Sequence, residues 1–209
     1  MQSIGIFGGT FDPPHIGHLI LAAEAIYQFH LDRLLWVLTP DPPHKQGRTI
    51  TPLSHRLAMV KLALADTPEF ELSMVDIDRP SPHFAVDTVK IIAAQNPDAE
   101  LVYLMGGDSL HDLPAWHQPK DFVSVCDSIG VLRRPGDDID LPALEKMLPG
   151  LTAKVRFMDA PLLDIAAHDI RERIAMGHPY RFYLPAGVYK FIRKNNLYSA
   201  ITEKKGTAD

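Results

Sequence analysis

The chain has 209 residues, of which 22% are charged, with a formal net charge of −5 and a single cysteine, Cys126. This length suits one folded domain, and the acidic balance argues against a broad nucleic-acid-binding face. One cysteine excludes an internal disulfide framework and fits a reducing cytoplasm. No apolar run approaches the roughly 18 residues of a membrane span, and the first residues lack the basic-then-apolar order of a signal peptide.

Apolar runs alternate with helical patterns along the chain. Strands are expected at Ile4–Phe7, Arg33–Leu38, Glu71–Val75, Glu100–Met105, Ser128–Leu132 and Lys154–Met158. Helices are expected at Gly17–Phe29, Leu53–Ala65, Ala85–Gln95, Asp169–Met176 and Ala186–Asn195. Strand and helix in alternation imply right-handed crossovers and a parallel sheet covered on both faces. Ligands of such sheets bind past the C-terminal strand ends. Pro40 to Pro52 reads as a polar, proline-rich loop, and Asp137-Asp138-Ile139-Asp140 as a solvated acidic connection. Cys126 reads as core packing. Ala200 to Asp209 is polar and small, and is expected to be a disordered tail behind a domain spanning 1–199.

The first expected strand runs straight into Gly8-Gly9-Thr10-Phe11-Asp12-Pro13-Pro14-His15-Ile16-Gly17-His18, and a helical pattern follows. Strand, glycine turn and helix is the order in which α/β proteins build a phosphate site. Gly8 and Gly9 permit a tight turn and close backbone approach. The two prolines stiffen the loop. His15 and His18, three apart, share a face in the first helical turn, where N–H groups and the helix dipole favour anions. No Gly-Lys-Ser/Thr is present, and no Gly-x-Gly-x-x-Gly, so this is neither a P-loop nor a dinucleotide fingerprint. A metal site at His15 and His18 would need a third ligand, for which Asp12 is the nearest candidate.

Further chemistry sits after later strands. Pro42-Pro43-His44-Lys45 offers a mobile cation suited to phosphate. Gly106-Gly107-Asp108-Ser109 combines close approach with a carboxylate that can accept from a ribose hydroxyl or cap a helix. Trp116, beside Pro114, presents a ring suited to stacking on a flat heterocycle. Arg133 or Arg134 follows the strand at 128–132.

These motifs resemble a known family. Gly-x-Phe-x-Pro-x-His-x-Gly-His is the signature of the nucleotidyltransferase superfamily of adenylyl- and cytidylyltransferases. The longer form at 8–18 is similar to bacterial nicotinate mononucleotide adenylyltransferases, and the likeness runs from Ile4 to about Tyr198. It implies an α/β, Rossmann-like, doubly wound parallel sheet in a single domain with a C-terminal helical extension. It also implies that ATP is held by Gly8, Gly9, Thr10, Phe11, His15, His18, Gly106, Asp108, His168, Ile170 and Arg171. The mononucleotide would be held by Lys45, Phe84, Ala85, Trp116, His117 and Arg134, with Trp116 stacked on the nicotinate ring. The catalytic set implied is His15, His18, Lys45 and Arg171.

The chain departs from the family in two places. Members read Ser-Tyr-Thr-x-Asp-Thr where this chain has His83-Phe84-Ala85-Val86-Asp87-Thr88, so a hydroxyl toward the nicotinate carboxylate is lost at Ala85. Members read Ile-Ser-Ser-Thr-x-Ile-Arg where this chain has Ile165-Ala166-Ala167-His168-Asp169-Ile170-Arg171. Main-chain N–H groups would then serve in place of the missing hydroxyls.

The activity implied is transfer of AMP from ATP to nicotinate mononucleotide, releasing pyrophosphate and giving nicotinate adenine dinucleotide for NAD biosynthesis. The acceptor phosphate attacks directly, with no covalent intermediate. Mg²⁺ is expected to ride on the substrate phosphates rather than in a protein cage. No nucleic-acid or membrane partner is expected, and a homo-oligomer stays open. The alternatives are another phosphate acceptor, such as the amide mononucleotide or pantetheine phosphate, and a binding-only homologue.

Overall fold

The computed structural model describes residues 1–42, 50–132, 139–161 and 163–199. Six parallel strands form one sheet in the order β3-β2-β1-β4-β5-β6. They are β1 (Gln2–Gly9), β2 (Arg33–Leu38), β3 (Phe70–Ser73), β4 (Ala99–Gly106), β5 (Ser128–Leu132) and β6 (Val155–Met158). Helices α1 (Ile16–Phe29), α2 (Leu53–Leu64), α3 (Ala85–Gln95), α4 (Gly107–Asp112) and α5 (Pro119–Val125) are followed by α6 (Leu141–Met147), α7 (Leu151–Lys154), α8 (Ala167–Ala175) and α9 (Ala186–Lys194). The chain winds outward from β1 to β3, then returns to the centre and winds the other way. The winding reverses between β1 and β4, which places the glycine-rich loop after β1 at the switch point.

Side chains alternate across the strands, so each strand feeds two cores. In β2, Leu34, Trp36 and Leu38 pack with Ala22, Ala25 and Phe29 of α1 and Val60 of α2. Leu35 and Val37 point the other way, to Val89 and Ile92 of α3 and Phe122 of α5. A third core joins Met59 of α2 to Ile170 and Ile174 of α8 and to Val188 and Ile192 of α9. The C-terminal extension therefore rests on α2, and α2 in turn rests on the sheet.

The structure departs from the sequence-based elements at several points. β3 starts one residue earlier than expected and ends at Ser73, and the chain then turns toward Asp76. Lys154 ends α7 instead of opening β6. Its ammonium donates to Val123 O, Ser124 O and Cys126 O at 2.8, 2.9 and 2.6 Å, at the end of α5. Asp140 is not merely solvated: its carboxylate accepts the Ala143 N–H at 2.9 Å and caps α6. Asp137 and Asp138, and the tail at 200–209, lie outside the described residues. Helices α4 to α7 were not expected.

One buried side chain ties the strand exits together. Arg56 of α2, 2% exposed, donates to Thr10 O after β1 and to Thr39 O and Pro40 O after β2. It also donates to Thr51 O before α2, and the four bonds span 2.7 to 3.1 Å. Burial pulls this guanidinium below its ordinary pKa, and the charge of Asp12 pulls it back. Arg56→Leu strands these buried carbonyls and should lower the unfolding free energy by about 3–5 kcal/mol. Arg56→Lys should recover only part of that, because an ammonium lacks the planar fork. Urea denaturation of the two variants checks this.

Candidate active site

The site is built on the end of β1. Gly9 has no side chain because Phe11 folds back over it: a Cβ there would lie 2.8 Å from the ring. Phe11 takes a left-handed φ of +46° to do so. Its ring packs 4.9 Å from Trp36 and meets His18 edge-on at 5.2 Å. Phe11 is buried, and its ring supports that of His18.

His15 is the residue before α1 and His18 lies in its first turn. The His15 N–H donates to His18 Nδ1 at 3.1 Å, which puts the hydrogen of a neutral His18 ring on Nε2. The two rings lie 3.6 Å apart at 31°. Gly17 makes this possible, since a Cβ there would sit 3.1 Å from His15 Nδ1 and 3.9 Å from Ile165. His15, Gly17 and His18 line one side of a cavity of about 580 Å³, with Leu132 at the end of β5. Ala166 and Ala167, at the start of α8, line it as well. That volume suits a nucleotide-sized ligand.

α8 begins two residues earlier than expected, and this reassigns its side chains. Ala166 is the cap, and Ala167, His168 and Asp169 form the first turn, whose N–H groups lack acceptors within the helix. Ile170 is buried in the third core, and its N–H donates to Ala166 O at 3.2 Å. His168, Arg171, Glu172 and Ala175 follow helical spacing on another face and line a second cavity of about 480 Å³. His168 Nε2 meets Glu172 Oε1 at 3.1 Å there. Arg171 donates from Nη1 to Asp12 O at 2.7 Å, so it supports the motif loop.

Asp12 has its own partners. Thr51 N–H donates to Oδ2 at 3.1 Å and the Tyr198 hydroxyl to Oδ1 at 2.6 Å. Each carboxylate oxygen thus accepts one hydrogen bond, and among the described residues Asp12 does not group with His15 and His18 at metal-ligand distances. Among the described residues, the group close enough to hold a metal is His168, Asp169 and Glu172, all exposed.

At the end of β4, Gly106 caps α4 and Asp108 lies exposed in the first turn, so Asp108 is not the cap. A Cβ on Gly106 would meet nothing within 4 Å, which leaves room above the strand end. Gly8 stands one layer lower, where a Cβ would sit 3.2 Å from the Tyr103 hydroxyl. Thr10 is buried and turns its carbonyl to Arg56.

The residues expected to hold the mononucleotide form a second group. Phe84 caps α3, Ala85 is its first residue, and the N–H groups of Asp87 and Thr88 turn back to Phe84 O at 3.2 Å. The Phe84 ring stacks on His117 with centroids 4.0 Å apart and planes at 22°. Trp116 is half-buried, its edge packed 5.3 Å from Phe122 and 6.3 Å from Tyr103. Lys45, Arg133 and Arg134 lie outside the described residues.

Sequence reasoning missed what holds this group. Asp76 is 2% exposed and accepts from Arg79 Nη2 at 2.9 Å and from the Thr88 hydroxyl at 2.7 Å. Arg79 also donates to Phe84 O at 3.2 Å and Pro82 O at 2.9 Å. The i,i+3 spacing of Asp76 and Arg79 was a readable charge-pair signal. No described thiol competes as a nucleophile, because burial pushes the Cys126 thiol up to about 12.

Comparison with known proteins agrees with this layout. Residues 6–173 match the family model described as cytidylyltransferase-like. A Thermomicrobium roseum protein named probable nicotinate-nucleotide adenylyltransferase is 45% identical over 201 residues, which is 96% of this chain and 94% of that one. The chain belongs to this family. The Bacillus subtilis member named nicotinate-nucleotide adenylyltransferase is 36% identical over 96% of this chain and 100% of its own length. A solved Plasmodium falciparum nicotinic acid mononucleotide adenylyltransferase, complexed with NaAD, superposes with a TM-score of 0.76 over 95% of this chain and 98% of its own. At 19% identity it speaks for the fold.

Family membership makes the small size of residue 17 testable. Gly17→Ala should cut turnover about tenfold by pressing on the His15 ring, while the melting temperature moves little. Steady-state kinetics beside thermal unfolding checks this.

Proposed function

We propose that the chain transfers AMP from ATP to nicotinate mononucleotide, releasing pyrophosphate and forming nicotinate adenine dinucleotide. The observation that carries this reading is one cavity lined by His15, Gly17 and His18 on one side and by the start of α8 on the other. The names of relatives up to 45% identical over nearly the whole chain support it.

The chemistry needs little from the protein beyond placement. A phosphate monoester has its second pKa near 6, so the acceptor is already anionic at neutral pH and no general base is required. Its oxygen attacks the α-phosphorus of ATP, the bond to the bridging oxygen breaks, and pyrophosphate leaves with that electron pair. Catalysis is then positioning and charge stabilisation. His18 donates from Nε2 to the triphosphate, and His15, stacked upon it, meets the charge growing on the leaving group. The first-turn amides of α8 receive phosphate oxygens. Arg171 acts through the loop carbonyl it holds. Lys45 and Arg134 add positive charge from segments outside the described residues.

The acceptor's nicotinate ring lies against Trp116, and its carboxylate meets the first amides of α3 and that of His117. With alanine at 85, these main-chain donors carry the acid preference. Mg²⁺, when bound, neutralises charge on the triphosphate. The exposed His168, Asp169 and Glu172 do not suit it: they include an imidazole, where Mg²⁺ demands six oxygens. Phosphate and water oxygens are its ligands in this reading. In this reading the enzyme serves NAD biosynthesis in the cytoplasm, which its single cysteine fits.

Pyrophosphate release from ATP and Mg²⁺ should be strong with nicotinate mononucleotide and weak with the amide mononucleotide. Equal rates would keep the transferase and remove the role given to the α3 amides. Release with neither acceptor would leave a different phosphate acceptor or a binding-only protein. His18→Ala should lower kcat by about 10²–10³-fold with the fold intact; turnover near wild type would sink the assigned role.

A further inference from the structure

We propose that Tyr198 is a positioning residue for the histidine-bearing loop, acting through Asp12; the role rests on the adenylyltransferase reading of that loop. Tyr198 follows α9 and stands 186 residues from Asp12 in sequence. Its hydroxyl nevertheless reaches Asp12 Oδ1 at 2.6 Å, the short distance of a hydrogen bond to a carboxylate. Burial and the nearby Asp12 charge push the phenol well above its ordinary pKa, so it stays a donor throughout the neutral range.

Asp12 lies three residues before His15. Its second carboxylate oxygen takes the Thr51 N–H at 3.1 Å, and its backbone carbonyl takes Arg171 at 2.7 Å. The loop that delivers both histidines is therefore pinned from three directions: the entry to α2, the middle of α8 and the end of the chain. The Thr51 bond uses a backbone N–H, whereas the Arg171 and Tyr198 bonds are made by side chains, and the Tyr198 bond is lost with a single oxygen atom. The ring packs with Leu197 against the third core, so its position is held by apolar contacts, and the hydroxyl also lies 4.0 Å from Met59 Sδ. Asp12 and Tyr198 also border the second cavity, where water can reach a carboxylate left without its phenol. Loss of the hydroxyl should thus loosen the loop more than it unfolds the domain.

The test compares wild type, Tyr198→Phe, Asp12→Asn and the double variant, with Tyr27→Phe, 77% exposed, as a control. Tyr198→Phe should lower kcat for pyrophosphate release about tenfold with KM for the mononucleotide within about twofold. Its melting temperature should stay within a few degrees. The loss from Tyr198→Phe should be smaller in the Asp12→Asn background than in wild type, because the amide keeps one acceptor oxygen for both Tyr198 and Thr51 and the two changes act on one contact. An unchanged kcat in Tyr198→Phe, or losses that multiply in the double variant, would overturn the proposal.

Imidazole resonances of His15 and His18, followed by NMR, separate this proposal from the activity itself. They should shift in Tyr198→Phe and stay fixed in Tyr27→Phe. If wild type makes no product with any acceptor, the transferase reading fails, and unmoved imidazole resonances in Tyr198→Phe would still refute the coupling. Should Tyr198→Phe not fold, Asp12→Asn keeps the ring and carries the same expectations for kcat and for the resonances.

Discussion

Parallel strands end with carbonyl groups that the ladder no longer pairs, and here one guanidinium collects them. Arg56 reaches four carbonyls from two loops, one after β1 and the two ends of the one between β2 and α2. Each unpaired buried carbonyl would cost about 1–3 kcal/mol, so these loops have few other places to go. Because Thr10 is among the four, fixing the strand exits also fixes the start of the histidine loop. Asp12, two residues on, then anchors to Thr51, Arg171 and Tyr198. The position of two imidazoles thus depends on a cation buried in a different helix from the one they open.

Much of this scaffold could be read in the chain. The bounds of β2, β5 and α3 are those the apolar runs and turn residues indicate. Their signal is local, a run of branched or aromatic residues closed by glycine, proline or aspartate. Helices α4 to α7 carry no such signal, since four to seven residues make fewer than two full turns and leave no period to detect. Even so, Pro119 and the Asp140-Leu141-Pro142 start were legible as helix openings.

The site divides in the same way. His15, Gly17 and His18 act on one another within a single turn, so their spacing in the sequence is their geometry in the fold. The α8 residues were harder. Starting the helix at 167 instead of 169 brings His168 into the first turn, three residues before Arg171, and the two line the second cavity together. Contacts such as Asp12 with Tyr198, or Arg56 with the loop carbonyls, join residues far apart and leave no trace in local spacing.

An acidic protein that binds a triphosphate needs a positive site that does not depend on its net charge. The structure builds one from backbone. The first turns of α1 and α8 open on one cavity, each bringing N–H groups and the positive end of a helix dipole. For the two helix starts to converge, the residues between them must be small. Gly17, where a Cβ would press on His15 Nδ1 at 3.1 Å, and the alanines at 166 and 167 are all small. The hydroxyls that the family carries at 166 to 168 add side-chain donors to a field the helix start already supplies. Their loss weakens individual hydrogen bonds and leaves the converging dipoles in place, because those belong to the fold and not to any side chain.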